Sequence, residues 1–232
     1  MNSLLAFDTA TERTYIALET QGRTWTHDGA GGAHASATFL NDVMALLEAA
    51  GVSVGALDAI AFGRGPGAFT GLRTACAVAQ GLALGAGKRV VPIDTLLAIA
   101  EDGRGDMVDV RIWALLDARM GELYAAEYVH DRAGWRTSVA PMLTTPERLQ
   151  RCWDEHPPEV VSGEAVATFG SWLDVGRARR VETAVPRGLG LLRLARGLLA
   201  RGAAVDAALA LPLYVRDKVA ETTAERAARV AA

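Results

Sequence analysis

Gly63-Arg64-Gly65-Pro66-Gly67-Ala68-Phe69-Thr70-Gly71-Leu72-Arg73 is the stretch on which the reading of this chain turns. Before it lies an apolar run, Leu57 to Phe62, short enough for a buried strand. After it, Thr70 to Ala86 is a proline-free run of small and apolar residues that predicts a helix. The chain thus leaves a strand, makes a glycine-rich turn and enters a helix. Gly63, Gly65 and Gly67 can take positive φ without steric cost. Pro66 fixes its own φ and keeps Gly65 out of the helical region. Thr70 reads as the helix N-cap. Arg73 falls in the first turn, where a cation needs an acidic neighbour or an anion to offset the positive helix end. Two readings of the turn stay open. It can hold phosphate, as strand–turn–helix junctions do, or it can set a helix tightly against a sheet. Neither G-x-x-x-x-G-K-[ST] nor G-x-G-x-x-G is present.

Working outward, the N-terminal residues Ser3 to Phe7 read as a buried strand ending at Asp8, followed by the turn Thr9 to Arg13. Strands at Tyr15–Leu18 and Thr24–Thr26 complete an antiparallel meander. Gly29 to Ala33 reads as a loop. Ser36 can cap a helix that ends at Ala50 and is closed by Gly51. Its apolar residues Phe39, Leu40, Val43, Met44, Leu46 and Leu47 make a stripe wide enough for two faces. Beyond the long helix, Arg89–Ile93 reads as a strand and Thr95–Ala100 as a short helix. Glu101 to Asp109 is polar and is the best candidate boundary between two halves.

The pattern then restarts. Trp113 to Asp117 is again an apolar strand ending in aspartate, Ala118 to Glu122 a polar turn, and Leu123 to Ala126 a strand. Tyr124 follows Asp117 at the spacing at which Tyr15 follows Asp8, a weak sign of duplication. Further on, strands are expected at Trp135–Val139 and Val160–Gly163. Helices are expected at Thr145–Cys152, Ala165–Leu173 and Leu189–Arg201, the last an amphipathic surface helix. Pro212-Leu213-Tyr214-Val215-Arg216 opens the tail, and Thr223 to Ala232 is alanine-rich. Two such halves predict an α/β fold with mixed sheets flanked by helices. The duplicated actin-like, ribonuclease H-like fold is one architecture built this way, and its strand-end aspartates face a nucleotide cleft. The expected divisions are 1–103, 104–210, and a tail at 211–232 that packs back on the first half.

Composition narrows the function. The 232 residues carry a formal charge of −3, which disfavours bulk nucleic-acid binding. Cys76 and Cys152 lie far apart and form no C-x-x-C. No signal-peptide pattern opens the sequence and no run is long enough to span a bilayer, so a cytoplasmic protein without a membrane partner is expected. His27, His34, His130 and His156 are scattered, and H-E-x-x-H and G-x-S-x-G are absent. No metal and no cofactor are assigned. Asp8, Thr9 and Asp117 are the only weak candidates for nucleotide contact. Their loops lack the glycines that bring amides to phosphate, and a turn-capping aspartate is the simpler reading. The long helix carries Gly71, Ala75, Ala79 and Ala83 along one face, and Ala77, Gly81 and Gly85 along a second. One small-residue row suits the sheet. The other, with the wide 36–50 helix, predicts a helical contact with another subunit.

Leu5-Ala6-Phe7-Asp8-Thr9, the Gly65–Arg73 turn, Asp117-Ala118-Arg119 and Pro212–Arg216 occur in this order. The set resembles the TsaB (YeaZ) family of tRNA threonylcarbamoyladenosine biosynthesis over nearly the whole chain. The resemblance implies an actin-like fold and a non-catalytic scaffold role. It also implies pairing with the catalytic TsaD subunit, with the ATPase TsaE joining, self-dimerisation through similar surfaces, and tRNA contact only through the complex. The implied partner-interface and turn residues are Gly65, Pro66, Gly67, Phe69, Thr70, Gly71, Arg73, Ala75, Ala79 and Leu82, with Phe39, Leu40, Val43 and Leu47. Ala68 and Ala10 stand where the family usually has serine, which makes a nucleotide site less favoured. An actin-like phosphotransferase using Asp8 and Asp117 is the alternative, and a metallopeptidase a more distant one.

Overall fold

A computed structural model describes residues 3–32 and 35–216. The alanine-rich tail reading at 223–232 lies outside these residues. The first sheet contains β1 (Leu4–Asp8), β2 (Arg13–Thr20), β3 (Arg23–Ala30), β4 (Ala59–Gly65) and β5 (Arg89–Asp94), in the order β3-β2-β1-β4-β5. Strand β1 pairs antiparallel with β2 and parallel with β4. Helices α1 (Ala35–Ala50), α2 (Phe69–Ala86) and α3 (Thr95–Arg104) lie between or after these strands. The second sheet is built from β6 (Val110–Arg119), β7 (Glu122–Asp131), β8 (Gly134–Thr144), β9 (Val160–Ser162) and β10 (Arg179–Val181). Its order, β8-β7-β6-β9-β10, repeats the first, with the same antiparallel and parallel pairings. This is the duplicated actin-like fold, with two mixed sheets flanked by helices. Helices α4 (Pro146–Glu155), α5 (Ala165–Thr168) and α6 (Gly188–Ala200) complete it.

Alternation along the central strands splits each sheet's burial between two faces. In β1, Leu5 and Phe7 enter one core while Leu4 and Ala6 enter another. In β4, Ile60 and Phe62 side with Leu5, and Ala59 and Ala61 with Leu4. Helices α1 and α2 cover the first of these faces, where Phe7 meets Phe39 edge-on at 5.2 Å between ring centroids. Fully burying one such ring is worth about 1.5–3 kcal/mol. Helix α1 closes at Gly51 as read, and α2 closes at Gly87, which the sequence reading did not mark; both glycines take the left-handed conformation of a helix C-terminus.

Several expectations change. Helix α2 begins at Phe69 with Ala68 as N-cap, so Thr70 sits inside the first turn. Helix α1 begins at Ala35, ahead of the proposed cap at Ser36. Helix α5 stops at Thr168, well short of Leu173, with Gly170 just beyond it; glycine costs about 1 kcal/mol in a helix interior. Helix α6 is more than a surface amphipath. Its Leu191, Leu192, Leu194 and Ala195 are buried against β1, β2 and β5, on the face opposite α1 and α2. It lies within 104–210 in sequence yet roofs the first sheet.

The segment read as a boundary also holds a buried junction. Helix α3 continues to Arg104, and Glu101 is buried within it. The Glu101 carboxylate accepts from Arg193 Nε of α6 at 2.6 Å, from Trp135 Nε1 of β8 at 2.8 Å and from Arg104 Nε at 3.2 Å. Burial works to raise its pKa, but these three donors outweigh it and hold the group below the usual carboxylate range.

Candidate functional site

The glycine turn closes onto the loop after β1. A Cβ added at Gly63 would stand 1.7 Å from Asp8 Oδ2. At Gly67 it would meet the Ala10 carbonyl at 2.4 Å, and at Gly71 the Thr9 carbonyl at 1.9 Å. Of the three glycines in the turn expected to need positive φ, only Gly65 has it, at +111°. Gly63 and Gly67 are needed for space instead. The contact is tied by Ala68 N–H donating to Ala10 O at 2.8 Å and Thr9 Oγ1 donating to Gly71 O at 2.6 Å. The strand–turn–helix junction therefore grips its own chain.

Asp8 is fully buried beneath this grip. Its Oδ1 accepts from Ala10 N and its Oδ2 from Thr95 Oγ1, both at 2.7 Å. Burial pushes the carboxyl up to about 6, against the pull of those two hydrogen bonds. Asp8 and Thr9 do not line the cleft between the halves. That cleft has a volume near 490 Å³. Its walls are residues 10–12 and 66–69 from one half, and 116–120, Tyr124, Glu164 and Thr168 from the other. Asp117 does reach it, half-buried, with Oδ1 accepting from Arg119 N at 2.7 Å. Asp8 and Asp117, sought as a pair, are thus not brought together in one pocket. Across the mouth, Arg119 pairs with Glu12.

Residues 211–216 cross from one half to the other. Leu213 N–H donates to Arg64 O at 2.7 Å, and Tyr214 stacks near Phe69 with centroids 5.6 Å apart. Arg73 lies over the Phe69 ring at 3.8 Å and donates to Tyr214 Oη at 3.2 Å. Its described partners are aromatic, so the expected carboxylate or anion is replaced by ring faces. Further on, Val215 packs in the second half's core, and Arg216 donates to Glu122 Oε2 at 2.7 Å and Ala118 O at 2.9 Å. Sequence reading marked the Pro212–Arg216 motif but not its bridging role.

The predicted interface residues separate by face. Phe39, Val43, Leu47, Ala75 and Ala79 are core residues between the helices and the first sheet. They cannot meet a partner; Ala75 and Ala79 belong to the row that lets α2 approach the sheet closely. Leu82 is half-buried. Leu40 and Met44 point outward, 47% and 45% exposed. The second small row, Ala77, Gly81 and Gly85, is exposed, and nothing lies within 4 Å of a Cβ added at either glycine. Sequence reading missed Leu84 on that face, although the i, i+3 step from Gly81 would have placed it there. Among the described residues no helix is long and apolar enough to cross a membrane, and no group of three or more His, Cys, Asp or Glu is placed to hold a metal.

Known proteins share this geometry. The family described as "TsaD: tRNA N6-adenosine threonylcarbamoyltransferase" matches residues 30–169. The tRNA threonylcarbamoyladenosine biosynthesis protein TsaB of Escherichia coli K12 is 34% identical over 226 residues, covering 94% of this chain and 96% of that one. The chain belongs to the TsaB family. The TsaB of Haemophilus influenzae is 30% identical, with 94% of each chain covered. Among solved structures, YeaZ from Pseudomonas aeruginosa superposes with a TM-score of 0.83 at 35% identity, covering 92% of this chain and all of that one. Ala10 and Ala68 are the pair joined by the backbone hydrogen bond that closes the turn. A main-chain bond does there what neither side chain can.

Proposed function

We propose that this chain is a non-catalytic partner subunit in making tRNA threonylcarbamoyladenosine, beside the anticodon, in the cytoplasm. It pairs through the outer face of α1 and α2 with a TsaD-type catalytic chain, and a TsaE-type ATPase joins the pair. Alone, it self-associates through the same face; tRNA reaches it only through the complex. The observation that carries this reading is the open apolar edge at Leu40 and Met44, on a helix whose Phe39, Val43 and Leu47 are core and whose Leu46 packs partly buried against it. Solvent-exposed Leu and Met one helical turn apart are the anchors a helix–helix contact uses. The burial of Asp8 away from the cleft supports the non-catalytic part, since a phosphotransferase would need that carboxylate at its substrate.

The test is a reconstituted modification assay with each subunit omitted in turn, read as modified nucleoside in tRNA. Omitting this chain should abolish modification, and the chain alone should produce none. The double variant Leu40→Asp/Met44→Asp should weaken pairing with the TsaD-type chain by about thirtyfold, the loss of roughly 2 kcal/mol at a hot spot. Its thermal melt should stay at the wild-type temperature. Modification at full rate without this chain would refute the reading.

A further inference from the structure

Resting on the pairing proposed above, the outer layer of the first sheet holds more than two helices. The chain from Val205 to Tyr214 runs beside α2 on the side away from α1. Val205 pairs with Val90 at the start of β5. Ala210 O accepts from Cys76 Sγ at 3.0 Å and from Gln80 Nε2 at 2.9 Å. Ala207 and Ala210 enter the same core as Ala79 and Ala83, and Tyr214 reaches Phe69 at the α2 N-terminus. The layer is three ridges: α1, α2 and this segment, which makes one 3-10 turn at Ala207–Leu209. Ala207 and Ala210 of this segment face inward. Leu209 and Leu211 face solvent, 68% and 63% exposed, with Tyr214 beyond them.

We infer that residues 209–214 form the third ridge of the docking surface and are covered by the TsaD-type chain together with α1 and α2. Area supports this. Among the described side chains α1 exposes eight residues and α2 seven. A stable interface takes roughly 20–30 residues a side. Fifteen residues, not all on one side of their helices, fall short of that; Ala208, Leu209, Leu211 and Tyr214, exposed beside α2, bring the count to nineteen, close to the lower bound. The occupant follows from the family match. Residues 30–169, which include α1 and α2, themselves match the TsaD family, so a TsaD-type chain offers a helix pair of the same build. Two like surfaces pack about a pseudo-twofold axis, and the 209–214 ridge borders that contact beside α2. Because Val215 and Arg216 continue into the second half, covering the ridge also fixes the crossing between halves.

The experiment measures Kd for the TsaD-type chain from the same organism, using full-length wild type, Leu209→Glu/Leu211→Glu, and Leu40→Asp/Met44→Asp. Both substituted leucines are solvent-facing, so the monomer's melting temperature should hold. The leucine pair should raise Kd at least tenfold, and hydrogen exchange at residues 209–211 should slow on adding the partner. A Kd within twofold of wild type, or unchanged exchange there while the α1 variant loses binding, would overturn the third ridge and leave the pairing intact. Slowed exchange in the homodimer but not with the partner would also overturn it, assigning the ridge to self-contact. Wild type that fails to bind the TsaD-type chain at all would overturn both inferences.

Discussion

The β1–β2 hairpin and the β6–β7 hairpin hold the same place in their sheets, and each first strand carries an aspartate near its end. Their surroundings differ in kind. Asp8, closed to solvent, leads a four-residue connection, Thr9 to Glu12, gripped by the glycine turn at Thr9 and Ala10. Asp117 precedes a two-residue connection, Met120-Gly121, where Arg119, Met120 and Gly121 all take positive φ. That tight turn shifts the register after Asp117, so Tyr15 stands opposite Asp8 whereas Tyr124 stands opposite Leu116. The equal tyrosine spacing in sequence therefore does not mark equivalent partners. A duplicated backbone preserves strand order while turn chemistry decides which carboxylate sees water.

The sharpest way to break this contrast is Gly63→Ala. Its methyl group would fall on the Asp8 carboxylate, with no flexible far end to move aside. Destabilisation of at least ~3 kcal/mol is expected, measured by chemical denaturation or seen as loss of soluble protein.

Next comes the charge itself. The Asp8 pKa stands at about 6 when folded, against 3.8 for a free side chain. The folded state therefore holds the proton more tightly, and this group's contribution to stability is fully present below about pH 4. It falls as pH rises to about 6, then stays flat. At ~1.4 kcal/mol per unit, the loss is on the order of 2–3 kcal/mol. Asp8→Asn should flatten that fall, because the amide can accept from Ala10 N and donate to the Thr95 hydroxyl. Denaturation curves at pH 5 and pH 7 give the difference; a wild-type-like slope in the variant would place the proton elsewhere.

Smaller still is Asp117→Asn, expected to change stability by no more than ~0.5 kcal/mol at pH 7 because the group is partly solvated. The smallest effect belongs to Glu12 and Arg119, whose side chains are mostly exposed. A double-mutant cycle should give a coupling below ~1 kcal/mol that fades in high salt.

Much of this architecture was legible. Apolar runs ending in Asp8 and Asp117, and the helix-ending glycine at 51, are local signals that survive folding. The turn at 63–73 was rightly seen as the organising junction, but the reason for its glycines was not. Sequence cannot tell a residue that needs positive φ from one that must leave room for a neighbour 55 residues away, as Gly63 does for Asp8. Likewise, small-residue spacing showed two rows on α2 but not which met the sheet; only the position of β4 and β1 decides that. The cross-half roofing by α6 was invisible because an amphipathic helix does not say whose core it completes.

Glu101 has one more consequence. A single carboxylate ties the roof of one sheet to the rim of the other, through donors on α6 and β8. Any swing that drew α6 away from β8 would have to break hydrogen bonds to that one group.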